Sequence, residues 1–390
     1  MSMKNALDSL LKNATDAGDV PGVVAMVTNR EGTLYEGAFG VRKVGDKQPM
    51  TTDTVGLIAS MTKAITSVAA MQLVEQGKLD LDGPASKWAP ELGKVQVLDG
   101  FDSAGKPKLR APKHPITLKH LLTHTAGFGY SFTSTEIKKY EEVTGLPSPF
   151  TCTRASLDAP LLFDPGQRWE YGINIDWAGQ LVERASGMRL GDYFAKNILG
   201  PLGMNDTAVN MSPSMSSRRA HIHARLPDGN LTPIDLVLPQ PPEVDMGGHC
   251  LYGTAGDYLK FVRMFLNNGA APGGGRILKA ETIDQMCVNQ IGELKISGFK
   301  TADPTLLNDM PLPPEIPHNW GLGFLINQKP FPTGRSAGGL LWAGICNSYY
   351  WIDRTKGIGG VYLTQILPFA DVKSLPLFFG VEGTVYQSMS

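Results

Sequence analysis

A chain of 390 residues exceeds the usual size of a single hydrophobic core, so two domains, or one core carrying a large insertion, are expected. With 36 basic against 37 acidic residues, 42% hydrophobic and 19% charged, the composition is that of an ordinary globular enzyme and gives no electrostatic support for nucleic-acid binding. No run of eighteen apolar residues occurs, since even Ala64–Val74 is broken by Thr66, Ser67 and Gln72, and a membrane-spanning helix is excluded.

The first dozen residues read as a short amphipathic helix without the apolar core of a secretory leader, so a cytoplasmic location is expected. The four scattered cysteines, Cys152, Cys250, Cys287 and Cys346, form no CxxC pair and are expected as reduced, mostly buried thiols. Gly22–Gly40 holds two strand-like runs around Arg30-Glu31-Gly32, a β-hairpin pattern. A strand-like stretch from Thr54 to Ile58 runs through Ala59-Ser60-Met61-Thr62-Lys63 into a helix over Ala64–Gln76, closed by Gly77. Beyond Pro84 the chain is richer in Pro and Gly, with helical patches at Leu118–Thr123 and Ile175–Ala185. A helix returns over Tyr252–Asn267, strands follow at Trp320–Asn327, Leu341–Ile352 and Gly357–Thr364, and a last helix covers Val372–Gln387 despite Pro376. The expected fold class is α+β, an antiparallel sheet built from both ends of the chain and flanked by helices, with a mostly helical domain inserted. The boundaries that follow are 1–84 plus 246–390 for the discontinuous sheet domain and 85–245 for the helical one.

Ser-x-x-Lys recurs by chance in a chain this long, and context separates the matches. Ser9-Leu-Leu-Lys12 lies on the terminal helix and Ser297-Gly-Phe-Lys300 in a loop-like region, whereas Ser60-Met-Thr-Lys63 directly precedes an apolar helix. Residues three apart share a helix face, so Lys63 can reach the Ser60 hydroxyl, and the helix N-terminus suits a developing oxyanion. The competing structural reading is that Ser60 only caps the helix. An ordinary lysine, with a pKa of about 10.4, is neutral in roughly one molecule in 2,500 at pH 7, so Lys63 needs burial or a second titrating group to act as a base. A tyrosine that shuttles protons between nucleophile and leaving group would serve.

The order Ser60-Met-Thr-Lys63, Leu121-Leu-Thr-His-Thr-Ala-Gly127, Pro165-Gly-x-x-Trp-x-Tyr171 and Leu341-Trp-Ala-Gly344 resembles the family VIII carboxylesterases, relatives of class C β-lactamases and penicillin-binding proteins. Ala185-Ser-Gly187, Pro201-Leu-Gly-Met204 and Gly247-Gly-x-x-Leu-Tyr252 extend the likeness over nearly the whole chain. The resemblance implies a β-lactamase/transpeptidase-like fold with Ser60 as nucleophile, Lys63 as its activator and Tyr171 as the catalytic tyrosine. It also implies an oxyanion hole from the backbone N–H groups of Ser60 and Ile345, and substrate contacts from Tyr130, Trp342, Ala343 and Gly344. His124 is expected to be structural, and His221-Ile-His223 makes no convincing metal site, so neither metal nor cofactor is expected.

Two departures from the β-lactamases bear on substrate. Ile173 stands where class C enzymes place an amide, and Trp342 where they place a lysine that attracts the lactam carboxylate. Both favour a neutral small-molecule ester over a charged lactam and leave β-lactam hydrolysis as a weak side activity. Competing readings are an acyltransferase of this fold, like the one that acylates a statin precursor, an amide hydrolase, and a non-catalytic binding protein that keeps the fold. The loops Phe128–Pro149 and Gly298–Pro317 are expected to wall the cleft, and their apolar content points to bulky acyl groups.

Overall fold

Val23–Val27 carries no polar side chain. In the computed structural model, which describes residues 2–389, it forms the heart of β1 (Gly22–Asn29), buried on both faces. Val23, Ala25 and Val27 face one apolar cluster, and Val24 and Met26 another, as the two-residue period of a strand dictates. The first cluster is covered by α1 (Met3–Asp16), and the second by α2 (Thr62–Glu75) and α4 (Ala255–Leu266), with α3 (Asn174–Ser186) beyond α2.

Seven antiparallel strands make the sheet. They are β1 and β2 (Thr33–Gly40) from the start of the chain, then β3 (His318–Trp320), β4 (Leu325–Asn327), β5 (Leu340–Gly344), β6 (Ser348–Asp353) and β7 (Ile358–Leu363) from its end. Their order is β3-β4-β5-β6-β7-β1-β2, so the two termini of the chain build one sheet and everything between is inserted. The α+β architecture expected from the sequence is the one observed. Between 85 and 245 the described residues form several helices, two short hairpins, 97–110 and 222–234, the second of which also pairs with Ile366–Leu367, and a few isolated bridges.

Three elements differ from expectation, each for a local reason. Leu341–Ile352 is two strands, β5 and β6, because Asn347 adopts φ 58° and reverses the chain. Trp320–Asn327 is likewise split, at Gly323, which takes φ 102° and has no room for a Cβ, one there falling 2.5 Å from Ser67 Oγ. Tyr252–Thr254 pairs with Val55–Leu57 as a strand, and α4 begins only at Ala255, where the Thr254 hydroxyl caps it by accepting from Asp257 N. The last helix, α5 (Ser374–Gln387), keeps Pro376 in its first turn, where the missing N–H is not needed.

All four cysteines are free and buried. Burial pushes the thiols of Cys152, Cys287 and Cys346 up to about 12 and that of Cys250 well above the ordinary value. An aromatic disulfide reagent at pH 8 is therefore expected to titrate no thiol rapidly in the native protein and four after guanidinium denaturation.

Candidate active site

Ser60 sits in a single 3-10 turn, Ala59–Met61, between the strand Val55–Leu57 and α2. Ala59 holds φ 44°, a left-handed conformation strained for a residue with a Cβ, and the sharp turn leaves Ser60 partly exposed between two buried neighbours. Lys63 occupies the first turn of α2 with no solvent exposure. Its Nζ lies 3.1 Å from Ser60 Oγ, 3.1 Å from Tyr130 Oη and 2.9 Å from the Gly248 carbonyl, three acceptors for the three protons of an ammonium. The face of Tyr171 approaches the same nitrogen, 4.6 Å from Nζ to the ring centroid, a cation–π contact.

The buried cation has an anionic partner that sequence reading missed. Asp176, in the first turn of α3, accepts from Gly248 N at 2.8 Å and from Tyr130 Oη at 3.4 Å, and its carboxylate lies 3.5 Å from His249 Nδ1. Burial pushes this carboxyl up, but the hydrogen bond and charge of His249, with the charge of Lys63, outweigh it and hold Asp176 below the ordinary carboxylate range. Burial, then the Asp176 charge, push Tyr130 well above an ordinary phenol. Tyr130 thus stays protonated, donating to Asp176 while accepting from Lys63. Its place in sequence suggested substrate contact; it lines the smaller of two pockets at Ser60 and also holds Lys63. The only signal for Asp176 was one acidic residue inside the apolar run Ile175–Ala178, which nothing local distinguishes from a capping residue.

Tyr171 Oη accepts from Trp342 Nε1 at 3.3 Å, so the tryptophan orients the tyrosine hydroxyl. Trp342 in turn packs edge-on against Trp320, centroids 4.5 Å apart. His124 packs on Tyr171 at 4.9 Å and takes a hydrogen bond at Nδ1 from Asn174 Nδ2 at 3.0 Å. Burial, then the Lys63 charge, press the His124 imidazole well below its ordinary value, so it is neutral and packs as a structural group. His223 accepts from Val44 N at 3.0 Å, a structural contact.

The end of β5 meets the Ser60 turn because residue 344 is glycine: a Cβ there would stand 2.4 Å from the Ile58 carbonyl oxygen. Ser60, Tyr171, Trp342, Ala343, Gly344 and Ile345 thereby line one cavity of about 210 Å³. Phe132 and Phe299, from the two loops expected to wall the cleft, line it as well, and no Asp, Glu, Lys or Arg does. Ser9 and Lys12 lie on the exposed face of α1, and Ser297 and Lys300 are exposed. A further match, Ser103-Ala-Gly-Lys106, sits in an exposed hairpin turn. Among the described residues no cluster of His, Cys, Asp and Glu is placed to hold a metal, and no helix is long and apolar enough to cross a membrane.

The family described as Beta-lactamase matches residues 7–377. Monacolin J acid methylbutanoyltransferase of Aspergillus terreus is 32% identical, with 97% of this chain and 95% of that protein covered. Lovastatin esterase of Penicillium rubens is 34% identical, with 93% of each covered. The unliganded structure of simvastatin synthase (LovD) from Aspergillus terreus superimposes with a TM-score of 0.86 at 31% identity, covering 97% of both chains. These relatives are named for acyl transfer and for ester hydrolysis, and they do not single out the family VIII carboxylesterases that the motifs resembled. The chain therefore belongs to the β-lactamase family, as an enzyme of the fold shared by its serine hydrolases and acyltransferases.

Proposed function

We propose that this protein cleaves neutral carboxylic esters through an acyl-enzyme on Ser60, as the family VIII carboxylesterases do. The observation that carries the reading is the 3.1 Å approach of the buried Lys63 Nζ to Ser60 Oγ, which lines a cavity without charged walls. Ser60 attacks the ester carbonyl and hands its proton to the Lys63–Tyr171 pair, which enters the step one proton short, as ammonium beside phenolate or as neutral amine beside phenol. The tetrahedral oxyanion is held by the backbone N–H groups of Ser60 and Ile345, both on the cavity wall. Tyr171 protonates the departing alkoxide, and water then releases the acid. Trp342 and Ile173 supply neither the cation nor the amide that a lactam side chain uses, so β-lactam turnover is a minor activity.

A second reading, transfer of the acyl group to an alcohol instead of water, is favoured by the relatives named as acyltransferases and by the second pocket at Ser60. That pocket, about 30 Å³ and lined by Tyr130, Ser148, Phe150 and His249, has room for the hydroxyl end of an acceptor beside the acyl group. Treatment with a p-nitrophenyl phosphonate followed by peptide mass mapping is expected to put one label on Ser60. Turnover of p-nitrophenyl butyrate with and without 1-butanol then divides the readings. Butyrate as the main product in both cases supports the esterase, whereas butyl butyrate outpacing butyrate at millimolar alcohol makes transfer the activity.

A further inference from the structure

We propose that the acyl site turns over the open edge of β5 and continues across the opposite face of the sheet, where it takes a straight, neutral alkyl chain of roughly ten carbons. The inference rests on the acyl-enzyme reading for its substrate class, but the groove itself is a matter of geometry.

β4 pairs with β5 only at Leu340 and Leu341, so no strand covers Trp342–Gly344 on that side. Side chains alternate along β5: Leu340 and Trp342 belong to the apolar cluster of the Ser60 face, and Ala343 packs against the cluster under α5. Tyr349, the cross-strand partner of Ala343, lies on that second face too and stacks on Phe378 of α5 at 4.6 Å. A sheet ordinarily separates two such faces, yet the cavity that holds Ser60, Trp342 and Gly344 is also lined by Leu341, Ala343, Tyr349 and Phe378. The two can share a cavity only around the edge. Phe132, Phe299, Leu341 and Ile345 mark the crossing, each packing against both clusters.

The far limb is apolar and incompletely covered, with Leu341, Ala343, Leu375 and Phe379 only partly buried. Its one ionisable imidazole, His318, is pushed down to about 4 by burial, then by the Arg335 charge, and is neutral at working pH. An acid or amine head has no partner there, and an alkyl chain needs none. From Ile345 to Leu341 the strand advances about 13 Å, at about 3.3 Å per residue. That length holds on the order of ten carbons, since C–C bonds of about 1.5 Å advance an extended zigzag chain by about 1.25 Å each. The end is closed by Phe331 against Phe379, centroids 5.5 Å apart. Arg335, buried with Glu382 at 3.2 Å, lies 4.8 Å over the Phe331 ring and fixes this stopper.

The test is a series of p-nitrophenyl acetate, butyrate, decanoate and palmitate, with 1-decanol binding to Ser60→Ala measured by saturation-transfer NMR. Expected are a kcat/KM maximum at decanoate, a fall at palmitate, and a decanoate-to-butyrate ratio at least tenfold lower in both Leu341→Trp and Leu375→Trp. Decanol should bind Ser60→Ala saturably and at least tenfold more weakly once either tryptophan is added. A ratio that neither tryptophan changes, or decanol binding indifferent to both, overturns the groove. If no ester is turned over but decanol binding responds to the tryptophans, the groove stands and the esterase reading fails.

Discussion

Ser60→Ala is expected to lower turnover of p-nitrophenyl butyrate by at least about 10,000-fold, because removing the nucleophile of an acyl-enzyme mechanism leaves only oxyanion binding and proximity. The phosphonate label should vanish with the hydroxyl. Fold should not suffer: the serine is partly exposed, and its side chain bonds to Lys63, which keeps Tyr130 and the Gly248 carbonyl as acceptors. A melting temperature close to wild type with activity gone is the expected pair of results. Substantial turnover in the variant would mean that another residue is the nucleophile and that the position of Lys63 serves structure.

Asp176→Asn is the second large effect, and here activity and stability should fall together. The substitution keeps shape and an acceptor for Gly248 N, but it removes the buried negative charge beyond Tyr130. Leaving a buried cation without its counter-charge typically destabilises by about 3 kcal/mol. With the carboxylate gone, Tyr130 no longer has an anion to donate to, and Lys63 loses the alignment that points it at Ser60, for an expected loss of about 100-fold or more in kcat/KM. The double variant Lys63→Met/Asp176→Asn should be more stable than the two single losses add up to, since both buried charges go together. Additive losses in chemical denaturation would sink the pairing.

The pH dependence has a defined sign. Asp176 is held below its unfolded value, so its contribution is fully present above a pH of about 4 and is lost as pH falls through the lower folded value. Wild type should therefore lose stability more steeply than Asp176→Asn in that acid range, a difference read directly from melting curves between pH 5 and 2.

The elements that the sequence made legible are those whose pattern is local. The hairpin over 22–40 follows from two apolar runs about one glycine turn, and α2 from an apolar stretch closed by Gly77. The Ser60–Lys63 pairing follows from helical spacing alone, and it is realised at 3.1 Å. Where strand runs were merged, at 320–327 and 341–352, the missing information was a single left-handed residue in each, Gly323 and Asn347, whose φ a pattern of apolar residues does not report. The setting of Lys63 lay further out of reach. Its partners Tyr130 and Gly248, and Asp176 behind them, come from three separate segments and meet only because α3 packs on α2 and the 247–249 turn closes over both. The linear chain determined the pairing at Ser60, because hydroxyl and amine stand three residues apart where a 3-10 turn runs into α2. Only the tertiary structure decided which groups surround that amine and how far the cavity beside Ser60 runs. Both depend on burial and on contacts between residues that are distant in sequence.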